Sequence, residues 1–105
     1  YSPTFQEIGR RFGPIRLALI PIGGYQPRWF MRPVHLDPPE AVQVHLDIQA
    51  RQSVGMHWGT FRLTEEDPAE PPVYLQQAVA AAGLPAASFT TLNFGETRIF
   101  YPEAP

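Results

Sequence analysis

Two apolar stretches joined by a well-marked helix constrain the fold of this chain more than any other feature. The first stretch is IRLALIPI (residues 15–22), and the second is QSVGMHW (52–58). The first stretch is apolar at every position but Arg16 and Pro21, and such a run is typical of a strand that is buried on both faces of a parallel sheet. The second stretch reads as a short strand. A strand, a helical connection and a second strand form a βαβ unit, which crosses over right-handedly to a parallel neighbour. The sequence therefore predicts an α/β fold.

The connecting helix lies in LDPPEAVQVHLDIQAR (36–51) and carries its own start signals. Asp37 can cap its N-terminus, Pro38 suits its first turn, and Glu40 stands three residues after the cap, as in a capping box. Four residues then form an apolar stripe at helical spacing: Ala41, Val44, His45 and Ile48. His45 is therefore expected to face the core and to be structural.

The remaining elements are shorter. SPTFQEIGRRFGP (2–14) predicts a helix capped by Ser2, and PPVYLQQAVAAAGLP (71–85) predicts a third helix that ends at Gly83. FTTLN (89–93) and TRIFY (97–101) read as short strands or as one hairpin. The prediction is a short mixed sheet with about three helices.

Composition excludes several classes of function. The 105 residues suffice for one domain, and the charge of -2 is spread without basic runs, which argues against nucleic acid as a partner. The absence of cysteine excludes disulfides, thiolate metal clusters and a cysteine nucleophile, so the cytoplasm is the expected location. No apolar run approaches the ~20 residues that span a bilayer, so no transmembrane segment is expected.

His57 directly follows the second predicted strand, in SVGMHWGTF (53–61). Ligands of open α/β sheets gather at the carboxyl ends of the strands, and imidazole is a common zinc ligand. A single histidine is not a metal site, however, and a histidine beside a tryptophan is also typical of a hydrogen-bonded core residue. Local sequence leaves both interpretations open.

A long loop follows the first predicted strand and contains GYQPRWFM (24–31) and His35. Its aromatic residues could close one end of the core or form an apolar wall for a bulky substrate. His35 could be an ordinary loop residue, a proton donor or a phosphate contact. Loops of this length between a strand and a helix are often functional.

Four motifs in order resemble a known family: RFGPIRLALIPIG (11–23), YQPRWFM (25–31), HLDPPEAV (35–42) and HWGTF (57–61). Together they look like the C-terminal half of a metallo-β-lactamase-fold hydrolase, in the branch of the N-acylphosphatidylethanolamine-hydrolysing phospholipase D. The resemblance runs from Tyr1 to about Tyr101. It implies that residues 1–105 are one C-terminal half-domain, half of an αββα sandwich.

The resemblance also implies roles for individual residues. His57 would be the last zinc ligand of a site that holds two zinc ions, and His35 would be a catalytic residue near the scissile phosphate. Tyr25, Trp29 and Phe30 would shape the groove for the chains of a phosphodiester or lipid-like substrate.

This sequence departs from the family pattern in one important respect. The family takes most of its metal ligands from a His-x-His-x-Asp-His motif, a further histidine and a bridging aspartate, and none of these is present. A catalytic zinc usually needs three protein ligands, so His57 cannot hold one alone. The expected partner is the N-terminal half of the same fold, without which the chain is expected to be inactive.

Two other functions are compatible with the sequence. One is a non-catalytic α/β binding or dimerisation module, in which the aromatic loop binds a partner or an apolar ligand, or two copies pair through the sheet edge that the other half would cover. The other is a hydrolase of the same fold that acts on a different phosphodiester, such as a cyclic nucleotide, or on a sugar lactone phosphate.

Overall fold

The computed structural model describes residues 1–102, which form a three-stranded sheet with four α-helices. The elements in chain order are α1 (Thr4–Phe12), β1 (Ile15–Pro21), α2 (Arg28–Met31), α3 (Pro38–Asp47), β2 (Ala50–Met56), α4 (Glu70–Ala81), a 3-10 turn (Ala86–Ser88) and β3 (Phe89–Thr90). The strand order is β1-β2-β3, and both pairings are parallel. The α/β prediction is confirmed.

The βαβ unit forms as its sequence signals predict. The Asp37 carboxylate accepts a hydrogen bond from the Glu40 amide at 2.8 Å, and the Glu40 side chain reaches back to the Asp37 amide. This capping box fixes the start of α3, whose N-cap Asp37 lies two residues after His35. In the parallel pair that α3 connects, Ala18 lies beside Ser53.

The core lies between the sheet and the helices α3 and α4, where Leu75, Val79 and Phe89 are fully buried. His45 belongs to this core and is only 3% exposed. Its Nδ1 lies 2.6 Å from the Ser53 hydroxyl oxygen, and burial lowers its pKa below the ordinary value. The structural role predicted for His45 is confirmed.

The sheet presents apolar side chains on the face turned away from α3. Leu17 and Leu19 alternate along β1 with the inward-facing Ala18 and Ile20, and Leu19 is 61% exposed. Met56, at the end of β2, is also exposed. Within residues 1–102, no second layer covers these side chains.

The structure differs from the sequence prediction in four details. The sheet is parallel rather than mixed in the part of the chain that is described, because only Phe89–Thr90 of the predicted hairpin joins it. Residues 97–101 do not form a strand, and Ile99 is exposed rather than packed. Pro3 rather than Ser2 is the N-cap of α1, and the loop after β1 contains the additional short helix α2. No helix among residues 1–102 is long and apolar enough to cross a membrane.

Candidate active site at the carboxyl edge of the sheet

The structure brings His35 and His57 together, although 21 residues separate them in the chain. β1 and β2 are parallel neighbours, so the loops that follow them emerge at the same edge of the sheet. His57 comes directly after β2, and His35 ends the loop that follows β1. Their ring centroids lie 5.4 Å apart, with 35° between the ring planes.

The backbone of His57 adopts a left-handed conformation with φ of 60°. Such values are uncommon for residues other than glycine, although histidine is among the side chains that adopt them more often. The His57 carbonyl packs so closely against Gly23 that a Cβ on Gly23 would lie 2.3 Å from its oxygen. The end of β2 therefore packs closely against the loop after β1, where the Ile22 amide also donates to the Met56 carbonyl at 3.0 Å.

Gly24 lies next to both imidazoles. A Cβ at this position would be 3.0 Å from His35 Cδ2 and 3.4 Å from His57 Cε1. The φ of Gly24 is +80°, a backbone conformation that other residues adopt at a cost. A side chain at this position would therefore contact both rings.

Arg28 organises the loop that carries His35. Its Nη1 donates to the His35 carbonyl at 3.2 Å, its Nε lies 3.1 Å from an Asp37 carboxylate oxygen, and its Nη2 pairs with Glu40. One half-buried guanidinium therefore joins α2, His35 and the capping box of α3. The sequence offers a weak signal for this, an arginine among aromatic residues ahead of two acids, and the role of Arg28 was not predicted.

Glu66 joins the two loops. Its carboxylate accepts hydrogen bonds from the Gly24 amide at 2.7 Å, the Gln26 amide at 2.9 Å and the Thr64 hydroxyl at 2.8 Å. Burial alone would raise the pKa of this carboxyl, but the three donated hydrogen bonds outweigh burial and lower it below the ordinary value. Sequence reasoning missed Glu66 because its main partners lie some 40 residues away.

The three predicted aromatic residues have different environments. Trp29 is 83% exposed and Phe30 is 64% exposed, so both are free to contact a ligand. Tyr25 is fully buried and packs edge-to-face on Tyr74. Its hydroxyl donates to Glu70 at 2.5 Å, and burial followed by this hydrogen bond raises its pKa. In this structure, Tyr25 anchors the loop from within and presents no side-chain surface to a groove.

A cavity of about 260 Å³ opens beside His57. Its walls are formed by Gly23, Gly24, Glu66 and the segment from His57 to Thr64. Phe61 and Leu63 in that segment are exposed apolar residues, at 73% and 78%. Neither was predicted as a site residue, although two exposed apolar side chains in a polar loop are a usable signal.

The described residues do not complete a metal site. Among residues 1–102, no three histidine, cysteine, aspartate or glutamate side chains come together in a way that could hold an ion. His57 fits as one ligand of a larger donor set, because it stands at the edge of the sheet beside a cavity. A catalytic zinc usually needs three protein ligands.

Comparisons with known proteins agree with the resemblance seen in the sequence. The chain is 47% identical over 94 residues to the N-acyl-phosphatidylethanolamine-hydrolyzing phospholipase D 1 of Caenorhabditis elegans, covering 88% of this chain and 26% of that protein. The mitochondrial enzyme of the same name from Saccharomyces cerevisiae is 36% identical over 97 residues, covering 91% and 20%. The outer membrane protein RomA of Klebsiella pneumoniae is 37% identical over 59 residues, covering 56% and 43%.

The chain spans about a quarter or less of the length of the two phospholipases. The α/β architecture of residues 1–102 is consistent with a fragment of a β-lactamase-fold domain. Residues 1–58, which include both site histidines, match the family described as the beta-lactamase superfamily domain. The chain therefore belongs to the beta-lactamase superfamily.

Proposed function

We propose that this chain is the C-terminal half-domain, residues 1–105, of a metal-dependent hydrolase that cleaves a phosphodiester in an N-acylphosphatidylethanolamine-like lipid. The observation that carries the proposal is the pair of imidazoles at the carboxyl edge of the sheet, 5.4 Å apart. The similarity to two proteins named as N-acyl-phosphatidylethanolamine-hydrolyzing phospholipases D supports this choice of substrate class.

His57 would hold a metal ion, with zinc as the proposed metal, and the remaining ligands would come from outside this chain. A bound metal pair supplies a nucleophilic hydroxide at neutral pH and neutralises charge on the phosphate. His35 would contact the phosphate or move a proton beside it. Its Nδ1 is buried without a hydrogen-bond partner among residues 1–102, which leaves this nitrogen for a group that the described residues do not supply.

The proposed partner is an N-terminal half of the same fold, which would cover the exposed sheet face of Leu17, Leu19 and Met56. A sheet needs a second layer to bury an apolar face. The incomplete metal site argues in the same direction, because the missing ligands must come from another part of the protein. Without that half, we expect the chain to be inactive.

The substrate's acyl chains would contact Trp29 and Phe30, which are exposed on the loop that carries His35. Tyr25 would contribute by holding this loop in place through Glu70. The cavity beside His57 would take the head group, since about 260 Å³ is small for a complete lipid.

The test uses the complete protein that contains these residues, purified with and without His57→Asn. Asparagine also tolerates a left-handed backbone, so this substitution removes the imidazole without adding backbone strain. We expect metal content and hydrolysis of an N-acylated phosphatidylethanolamine to fall together, while the melting temperature of the metal-free protein stays the same. Full activity in His57→Asn would refute the role of His57.

The same assay separates the lipid substrate from smaller ones. The complete protein should turn over a bulky acyl phosphodiester more efficiently than a small chromogenic phosphodiester. The opposite preference would favour a hydrolase of the same fold that acts on a small phosphodiester.

A non-catalytic binding or dimerisation module is the second candidate, and the uncovered apolar face of the sheet favours it. In that case, the aromatic loop would bind a partner or an apolar ligand, or two copies of the chain would pair through the sheet edge. Light scattering on the 105-residue chain would then show the mass of a stable dimer.

A cytoplasmic location is part of the first proposal, and cell fractionation tests it. The yeast relative is named as mitochondrial.

A further inference from the structure

One carboxylate connects the two loops that carry the histidines. Glu66 lies in the loop after β2, nine residues beyond His57, and accepts hydrogen bonds from the amides of Gly24 and Gln26 in the loop after β1. The Glu65 amide adds a third link between the loops by donating to the Gln26 carbonyl at 3.1 Å. The loop after β2 thus folds back and fastens the loop after β1.

The position of these bonds matters more than their number. The Gly24 amide is bound by Glu66, and a Cβ on the same residue would lie 3.0 Å from His35 Cδ2 and 3.4 Å from His57 Cε1, so Gly24 lies next to both imidazoles. A shift of Gly24 would therefore change the positions of the His35 and His57 imidazoles together.

We infer that Glu66 is a positioning residue that sets the separation of His35 and His57 through Gly24. The inference deepens the proposed function, on which its catalytic consequence rests. The effect on the two rings follows from the contacts of Glu66 and Gly24, whatever the reaction is.

The chemistry of the three donors calls for a carboxylate. One oxygen of Glu66 accepts from the Gly24 amide and the Thr64 hydroxyl, and the other accepts from the Gln26 amide. An ionised carboxylate has two acceptor oxygens and no donor. Glutamine has the same size but would turn an NH₂ group toward one of the backbone amides, so one buried donor would lose its partner.

The experiment compares Glu66→Gln with Glu65→Gln in the complete protein. Glu65 is the neighbouring residue and is exposed, and no hydrogen bond of its side chain is described, so it provides the same chemical change without the three bonds. The first readout is the ¹⁵N imidazole signals of histidine-labelled protein, assigned by substituting His35, His45 and His57 one at a time. The second readout is kcat and KM for an acyl phosphodiester.

We expect Glu66→Gln to shift the signals of His35 and His57 and to leave that of His45, which lies in the core against Ser53, unchanged. We expect kcat to fall about tenfold to a hundredfold at similar KM, since displacements of up to an ångström have effects of this size. Glu65→Gln should change neither readout.

Three outcomes would overturn the inference: unchanged signals of both site histidines, equal shifts of all three histidines, or shifted rings with an unchanged kcat. If Glu66→Gln does not fold, Thr64→Val removes one of the three donors and should shift the same two signals by less. No shift in Thr64→Val would then count against the inference. If the wild-type protein has no phosphodiesterase activity while Glu66→Gln still moves only the two site histidines, the proposed function fails and the positioning role stands.

Discussion

Replacing Gly24 with alanine tests directly whether the spacing of the two imidazoles controls activity. The new methyl group would lie 3.0 Å from His35 Cδ2 and 3.4 Å from His57 Cε1. At 3.0 Å, His35 must move by a few tenths of an ångström. Its carbonyl is held by Arg28, so the adjustment falls on the imidazole ring.

The chain offers a matched control for the backbone part of this change. Gly95 has a φ of +81°, almost the same as the +80° of Gly24, and a Cβ there would meet nothing within 4 Å. A left-handed backbone costs a residue other than glycine roughly 1–2 kcal/mol, and both substitutions carry this cost. Any difference between Gly24→Ala and Gly95→Ala therefore reports the contact with the imidazoles.

We expect kcat of Gly24→Ala in the complete protein to fall by about tenfold relative to Gly95→Ala. A misplacement of 1 Å can cost about a hundredfold, so a few tenths of an ångström should cost less. A tenfold loss corresponds to a barrier about 1.4 kcal/mol higher. The assay is steady-state hydrolysis of an acyl phosphodiester, with melting temperatures measured alongside.

Equal kcat values for the two alanine variants would refute the reasoning, because the imidazoles would then tolerate the extra methyl group. A second test combines Gly24→Ala with Glu66→Gln. Because both substitutions change the distance between the His35 and His57 imidazoles, their effects on kcat should be less than additive.

Three further predictions concern other parts of the site and core. Arg28→Lys keeps the charge but loses the forked contacts. We therefore expect the free energy of unfolding of the complete protein, measured in urea, to fall by roughly 1–2 kcal/mol. The control Arg32→Lys changes a side chain that is 71% exposed and should have little effect. Burial lowers the pKa of His45 in the folded state, so below the ordinary value of 6.5 the unfolded chain binds a proton that the folded chain does not. Its contribution to stability is therefore present above pH 6.5 and is lost as the pH falls toward the folded-state pKa. His45→Gln should therefore make the melting temperature depend less on pH below 6.5. Trp29→Ser should raise KM for a bulky acyl phosphodiester but not for a small one, while Val73→Ser, at a residue 61% exposed on α4, should change neither.

Much of the fold could be predicted from local signals. The capping box of α3 and the apolar runs on either side of it involve residues close in sequence, and together they specify a parallel βαβ unit. The proximity of His35 and His57 follows from that unit, because the loops after parallel strands meet at one edge. The core role of His45 follows from helical spacing.

The rest depends on contacts between distant residues. The sequence does not indicate that Glu66 connects the two loops, because nothing in a run of acidic residues shows which backbone amides a given carboxylate will bind. The sequence does not show that Tyr25 is buried while Trp29 is exposed. Burial of an aromatic residue in a loop depends on its partners, which for Tyr25 are Tyr74 and Glu70. The predicted strand at residues 97–101 failed because Ile99 finds no surface to pack on.

The left-handed backbone at His57 has a consequence for which residues position 57 can accommodate. In a library that contains all substitutions at position 57, the order of the variants should differ between two selections. Selection for protein abundance should favour glycine and asparagine and disfavour valine and isoleucine, whose branched side chains fit a positive φ worst. Selection for turnover should retain histidine alone. The two rankings separate what the backbone permits at this position from what the chemistry requires.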